Sequence, residues 1–299
     1  MSVPAPIADH AELDTEPVPL HEAYAYCEAV VRANEENFPV ASRFLTPERR
    51  IALYAVYAFA RTADDLADAD APTEDRLAAL DRIEEALLQA LEGNPRGPVP
   101  TALADAVDRF TLPAEPFLDL LAAFRDDARN ATYASGDDLL RYCRGSANPI
   151  GRIMLALHDV DDLDAIRASD ALCTALQLTN MWQDLGRDLE RGRLFVPLED
   201  LRRFGLDRES LTRPAQRTHL TRLILHECAG TDELFEHGRP VARYVPAPLA
   251  IQLRATVIGG RAVLRAVAQR GWRVVKDRPT LSGWMRARVL VMALLGFDR

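Results

Sequence analysis

From about residue 21 onward, apolar residues recur at helical spacing almost without interruption, and this periodicity constrains the fold more than any other feature of the chain. The interruptions are of the kind that start and stop helices: Thr46-Pro47, Ala71-Pro72-Thr73, the run from Gly93 to Pro98, Leu112-Pro113, Ser135-Gly136-Asp137 and Arg213-Pro214. Several place Ser, Thr or Asp just ahead of a helical run, where a side-chain oxygen can accept from the unpaired N–H groups of the first turn. No alternating run bounded by turn residues persists long enough to predict a sheet. The chain therefore reads as all-α: a single domain over residues 21–299, preceded by a disordered tail over residues 1–20 that is rich in Pro and acid.

Composition narrows the function classes. With 48% hydrophobic residues and only 15 Gly in 299, the chain can bury a large core. A net charge of −9 argues against a general nucleic-acid partner. Lys276 is the only lysine, so any anion site must be built from guanidinium groups, which suit bidentate contact with phosphate. Cys27, Cys143, Cys173 and Cys228 form no C-x-x-C pair and fit neither a zinc site nor a disulfide framework, which favours a reducing cytoplasm. The apolar run from Val289 to Leu295 is too short to span a membrane. It reads as core, with peripheral contact at the inner face of the membrane as the alternative.

Two acidic motifs stand out against this background. Asp64 and Asp68, with Asp65 between them, lie one helical turn apart, and so do Asp184 and Asp188. Like charges at that spacing cost a helix about 0.2–0.5 kcal/mol per pair, so their repetition asks for a cause. On a helical projection, Gln177, Asn180, Asp184, Asp188 and Arg191 fall within a stripe of about 80°. Met181, Leu185 and Leu189 flank it, with Leu178 and Trp182 beyond. Tyr57, Arg61, Asp64 and Asp68 likewise share a face. One such motif alone is an ordinary solvated face in an acidic protein. Two, each with Arg or amide neighbours, predict divalent cations held between the two helices with a diphosphate opposite. The chemistry this suits is ionisation of an allylic or cyclopropylcarbinyl diphosphate: Mg²⁺ neutralises the leaving group, arginines hold it, and a dry apolar cavity shields the carbocation.

At these residues the chain resembles the squalene and phytoene synthase family, over nearly all of residues 21–290. The resemblance is carried by Tyr26-Cys27, by Tyr57-Ala58-Phe59-Ala60-Arg61 leading into the first acidic motif, and by Asp138-Leu139-Leu140 with Tyr142-Cys143. It continues through Gln177 to Asp188, the stretch from Arg191 to Pro197, and Arg278-Pro279-Thr280-Leu281-Ser282. The resemblance implies an isoprenoid synthase helical bundle with a central cavity, dependence on two or three Mg²⁺ ions, and prenyl diphosphate substrates. It implies Asp64, Asp65, Asp68, Asp184 and Asp188 as metal ligands, with Asn180 completing the second metal helix. Arg61, Arg193, Arg278 and Arg286 would face diphosphate, and Tyr57, Tyr142 and Gln177 would line the cavity.

The departures from the family pattern narrow the reading. Trp182-Gln183-Asp184 stands where the family has Leu-Arg-Asp, removing one phosphate-facing cation. Ser146-Ala147-Asn148-Pro149 replaces Val-Ala-Gly, and Phe195 takes the place of a Tyr. Arg261 takes that of another Tyr, an alignment that makes it a candidate for the diphosphate and cavity lining where it otherwise reads as a surface charge. Phe38 lies in Asn37-Phe38-Pro39-Val40, where the family is Ser-rich, and reads as a cavity wall. This set resembles the hydroxysqualene-forming branch of bacterial hopanoid biosynthesis. Members of that branch ionise presqualene diphosphate, and water captures the rearranged cation without nicotinamide. Asn148, with Ser146 as a secondary helper, then reads as the holder of that water, and Asn148-Pro149 equally as a plain helix boundary. The alternatives are a squalene, presqualene diphosphate or phytoene-type synthase that condenses two prenyl diphosphates such as farnesyl diphosphate. A non-catalytic relative, the reading from another class, should have lost metal ligands, whereas all four outer Asp positions are intact.

Overall fold

The computed structural model describes residues 17–34 and 45–280. Among these residues all regular structure is helical and there is no strand. They group into two compact units, the first running to residue 129 and including residues 156–159, the second comprising residues 130–155 and 160 onward.

The first unit contains α1 (Leu20–Ala33), α2 (Pro47–Ala67), α3 (Thr73–Leu91), α4 (Pro98–Phe110) and α5 (Glu115–Ala128). Each expected break falls between two of these helices or at a start. Thr46 accepts from the Arg49 N–H at 3.4 Å, and Pro47 occupies the first turn, where no N–H is needed. The inner faces are built from small residues: Ala23 and Cys27 of α1 meet Ala55 and Ala58 of α2 and Ala102 of α4. Tyr24, Tyr54 and Tyr57 pack around them. Burial raises the Cys27 thiol to about 12, so it serves as a small apolar residue and not as a nucleophile. Phe59 of α2 meets Phe117 of α5 edge-on at 5.5 Å, which fixes how α5 lies on α2.

The second unit is organised around one long helix. It contains α6 (Gly136–Ser146), α7 (Asn148–Ala156, whose last residue belongs to the first unit), α8 (Leu163–Glu190), α9 (Leu198–Arg203), α10 (Arg217–Gly238) and α11 (Ala247–Arg270). Ser135 and Asp138 start α6 with a reciprocal capping box. Asp162 starts α8 by accepting from the N–H groups of Asp164 and Ala165. Helices α6, α10 and α11 pack against α8. Its apolar flank is buried as the projection predicts: Leu178, Met181, Trp182 and Leu185 are all among the core residues. Trp182 is 1% exposed, and its indole N–H donates to the Thr231 hydroxyl of α10 at 2.9 Å. A buried indole without that partner would forfeit about 1–3 kcal/mol. Trp182 is therefore a core anchor that fixes the rotation of α8.

Candidate active site

In the first unit the acidic motif closes helix α2. Arg61 lies one turn before it, with Nε donating to Asp65 at 3.1 Å, Nη2 2.5 Å from the same carboxylate, and Nη1 3.6 Å from Asp64. Burial works against the Arg61 charge, but the bond to Asp65 and the two carboxylates more than offset it and raise its pKa. Asp68 is the C-cap residue, and the last turn carries no basic side chain. Three carboxylates thus crowd the negative end of the helix dipole, where each anion is disfavoured by about 0.3–1 kcal/mol. A cation is what such an arrangement calls for. Tyr57, one turn before Arg61, is half-buried, and burial first, with the Asp64 and Asp65 charges, holds its phenol neutral.

In the second unit the motif lies in the last turns of α8, again at the negative end of a helix. Arg278 grips Asp184 with two parallel bonds, Nε to Oδ1 at 2.5 Å and Nη2 to Oδ2 at 2.9 Å. That bond to Asp184 raises the Arg278 pKa against burial. Asp188 is 9% exposed, with Arg193 Nε 3.6 Å from its Oδ1. The end of α8 explains how Arg193 arrives there. Gly192 takes a left-handed φ of 78°, the Gly192 N–H bonds the Leu189 carbonyl, and the Arg193 N–H bonds the Asp188 carbonyl at 2.7 Å. This is a Schellman turn, which folds the chain back over the last helical residues. Gln177 is half-buried on the same helix, and Asn180 is exposed.

The remaining expected residues fall into several settings. Tyr142 is 7% exposed and belongs to an aromatic group with Tyr133 and Phe195, at centroid distances of 5.3 and 5.8 Å. Asn148 is 2% exposed, begins α7, and accepts from the Thr174 hydroxyl of α8 at 3.0 Å. The Ser146 hydroxyl, two residues earlier, is buried and has no hydrogen-bond partner among the described residues. Arg261 makes a bidentate pair with Asp232 and a further pair with Glu236, and so clamps α11 to α10. Its side chain is 13% exposed. Phe38, Arg286 and the apolar run from Val289 to Leu295 lie outside the described residues.

Three residues that the sequence did not single out for a role join the site region. Tyr133 precedes the α6 capping box and stacks on Phe195 at 6.1 Å; an aromatic beside a helix start was its only signal. Gln183 is 6% exposed, and Gly186 sits inside α8 where a glycine costs about 1 kcal/mol relative to Ala. That local cost was the available signal for Gly186. Gln183 was visible only as a lost arginine.

The donors suit Mg²⁺. Every candidate ligand is a carboxylate, the hard oxygen donor this ion prefers. Among the described residues no three His, Cys, Asp or Glu side chains converge into a ready cage. Mg²⁺ usually takes one or two carboxylates and completes its shell with water and substrate phosphates, so paired aspartates on separate turns fit it better than a cage would.

The Squalene/phytoene synthase family model matches residues 31–285. The chain belongs to this family. Its members process prenyl diphosphates, and the family is normally metal-dependent. A hydroxysqualene synthase from Rhodopseudomonas palustris is 34% identical over 266 residues, covering 88% of this chain and 87% of that protein. Among solved structures, the squalene synthase HpnC from Alicyclobacillus acidocaldarius superposes with a TM-score of 0.80 at 40% identity. It covers 87% of this chain and 98% of its own. A dehydrosqualene synthase solved with a ligand gives a TM-score of 0.83 at 28% identity, covering 93% and 98%. The all-α isoprenoid synthase fold follows from these similarities and from the helices themselves. Among the described residues no helix is long and apolar enough to cross a membrane.

Proposed function

We propose that this chain is a hydroxysqualene synthase, a single domain over residues 21–299, that converts presqualene diphosphate and water to hydroxysqualene and diphosphate. The observation that carries the reading is the 34% identity to a hydroxysqualene synthase across 88% of this chain and 87% of that protein. A cytoplasmic location, with the peripheral membrane contact that a lipid substrate calls for, belongs to the same proposal.

The chain's own residues have the following roles in it. Asp64, Asp65 and Asp68 on α2, and Asp184 and Asp188 on α8, hold the metal ions. When bound, Mg²⁺ neutralises the charge that develops on the departing diphosphate. Arg61, Arg193 and Arg278 exchange a carboxylate partner for phosphate oxygens and orient the leaving group. Tyr133, Tyr142 and Phe195 present aromatic faces, each worth roughly 0.5–2 kcal/mol to a nearby cation by analogy with cation–π pairs. The C–O bond to diphosphate breaks, the cation rearranges, and a water oxygen forms the new C–O bond while its proton leaves. In this reading Asn148, with the Ser146 hydroxyl two residues before it, positions that water; among the described residues the Ser146 hydroxyl has no hydrogen-bond partner. Arg261, already held by two carboxylates, ties α11 to α10 in this scheme.

The test is to incubate purified protein with presqualene diphosphate and Mg²⁺, without NADPH, beside a parallel reaction with farnesyl diphosphate. Mass spectrometry of the extracted lipids should show hydroxysqualene from the first and little turnover of the second. Presqualene diphosphate left intact while farnesyl or geranylgeranyl diphosphate is consumed would sink the branch assignment and leave the family untouched.

A further inference from the structure

The second unit contains a docking arrangement at the acidic end of α8. The short 3₁₀ turn Gly271–Val275 follows α11 and packs against α8. Residues 276–280 then run on beside the acidic end of that helix. Gly186 permits the approach. A Cβ built there would lie 2.5 Å from the Val275 carbonyl oxygen, so any other residue would push the turn away. Gln183 holds the next point: its Nε2 donates to the Pro279 carbonyl at 2.5 Å, and its Oε1 accepts from Arg278 Nη2 at 3.3 Å. Arg270 secures the intervening stretch from α11 through an ion pair with Asp277. Between these anchors Arg278 extends to both oxygens of Asp184.

The geometry points to Gln183 as a positioning residue that, with Gly186, delivers Arg278 to the diphosphate site beside Asp184. The guanidinium absent from position 183 is thereby supplied from the segment that Gln183 docks. This rests on the reading of Asp184 as a metal ligand and Arg278 as a diphosphate contact. The argument is one of exchange. Both oxygens of Asp184 are taken by Arg278, and a metal would need at least one of them. When Asp184 turns to a cation, Arg278 loses its main partner. An untethered arginine would swing into solvent, since its side chain is 34% exposed. Gln183 prevents that, because it bonds the Arg278 guanidinium and the backbone of the next residue independently of Asp184. A buried amide offers both a donor and an acceptor for this purpose, whereas a buried arginine offers only donors.

The experiment measures binding of inorganic diphosphate with Mg²⁺ to the full chain by calorimetry, alongside Tm without ligand. The proteins are wild type, Gln183→Leu, Gly186→Ala, Arg278→Ala and the double variant Gln183→Leu/Arg278→Ala. Arg278→Ala should weaken binding by roughly 10- to 100-fold, the loss expected for a charge-assisted contact. Gln183→Leu and Gly186→Ala should each weaken it in the same direction, and the double variant should bind no worse than Arg278→Ala alone. Additive losses in the double variant would mean that Gln183 acts by another route and would overturn the proposal. So would wild-type binding by folded Gln183→Leu and Gly186→Ala with Arg278→Ala impaired, an outcome that leaves the diphosphate role of Arg278 standing. Wild-type binding by Arg278→Ala would instead overturn that role and the proposal built on it. Gly186→Ala perturbs the same docking from outside the amide, so the test survives if Gln183→Leu does not fold.

Discussion

Arg193 is returned to Asp188 by the turn that ends α8: its N–H bonds the Asp188 carbonyl at 2.7 Å, and its guanidinium Nε stands 3.6 Å from the Asp188 carboxylate. One residue, Gly192, makes both contacts geometrically possible, because an L side chain resists the φ of 78° that the turn requires. Gly192→Ala should therefore destabilise the protein by about 1–2 kcal/mol. It should also weaken diphosphate binding by moving Arg193. Arg193→Ala should reproduce the binding loss, roughly 10- to 100-fold, without the backbone strain. Thermal melts and calorimetry with inorganic diphosphate separate the two effects. Equal Tm values for Gly192→Ala and wild type would refute the strain argument.

A working metal and diphosphate site should reveal itself in stability before any turnover is measured. Inorganic diphosphate with Mg²⁺, at about a hundred times its dissociation constant, should stabilise the fold by about 2.7 kcal/mol. Asp64→Asn and Asp184→Asn should each abolish most of the resulting rise in Tm, because an amide cannot replace a carboxylate as a hard anionic ligand. Either variant showing the full rise would remove its aspartate from the ligand set.

The polar pair ahead of α7 makes two distinguishable contributions. Asn148→Ala breaks the buried bond from Thr174 and should cost about 1–3 kcal/mol of stability. Ser146→Ala deletes a buried hydroxyl that no group among the described residues satisfies, so it should leave Tm unchanged or raise it. If Ser146 holds the attacking water, the products of Ser146→Ala should shift from alcohol toward hydrocarbons formed by proton loss. An unchanged alcohol fraction at the wild-type rate would release Ser146 from that role.

Glu227 on α10 gives the protein a pH dependence of its own. It lines a cavity of about 290 Å³ with Leu139, Leu178 and Trp182, and its Oε1 is buried without a hydrogen-bond partner among the described residues. Burial, then the charge of Asp200, with Glu199 adding to it against Arg203, raises its pKa to about 8. His226 and Asp200 border the same cavity. The folded chain therefore binds a proton that the unfolded chain releases near the ordinary glutamate value of 4.5. The stability this contributes is complete below pH 4.5 and is lost as pH rises through about 8. Glu227→Gln should flatten the profile, raising Tm at pH 8.5 by several degrees and at pH 5 by little. Parallel Tm-against-pH curves for the two proteins would exclude Glu227 as the source.

The architecture was legible because helix formation is local. Thr46-Pro47 and Ser135-Gly136-Asp137 start helices where they stand, and the burial of Met181, Trp182 and Leu185 follows from their angular positions alone. The acidic pairs were legible for the same reason, since a four-residue step is one turn wherever the helix is placed. Even the return of Arg193 to Asp188 is written into Arg191-Gly192-Arg193, because a Schellman turn involves only neighbouring residues. Arg261 shows where this stops: nothing in its neighbouring residues names Asp232 and Glu236, the partners that packing brings to it from another helix.

Pairings across long stretches of chain were decided by tertiary structure. Nothing near Gln183 announces that its amide will meet Pro279, or that Gly186 will admit the Val275 carbonyl. Nor does either Asp184 or Arg278 specify the other. Helical period and capping act over a few residues and can be read directly from their order. Which guanidinium reaches which carboxylate depends on how α11 and the turn after it pack onto α8, a sum of many weak contacts to which no single residue type is a guide.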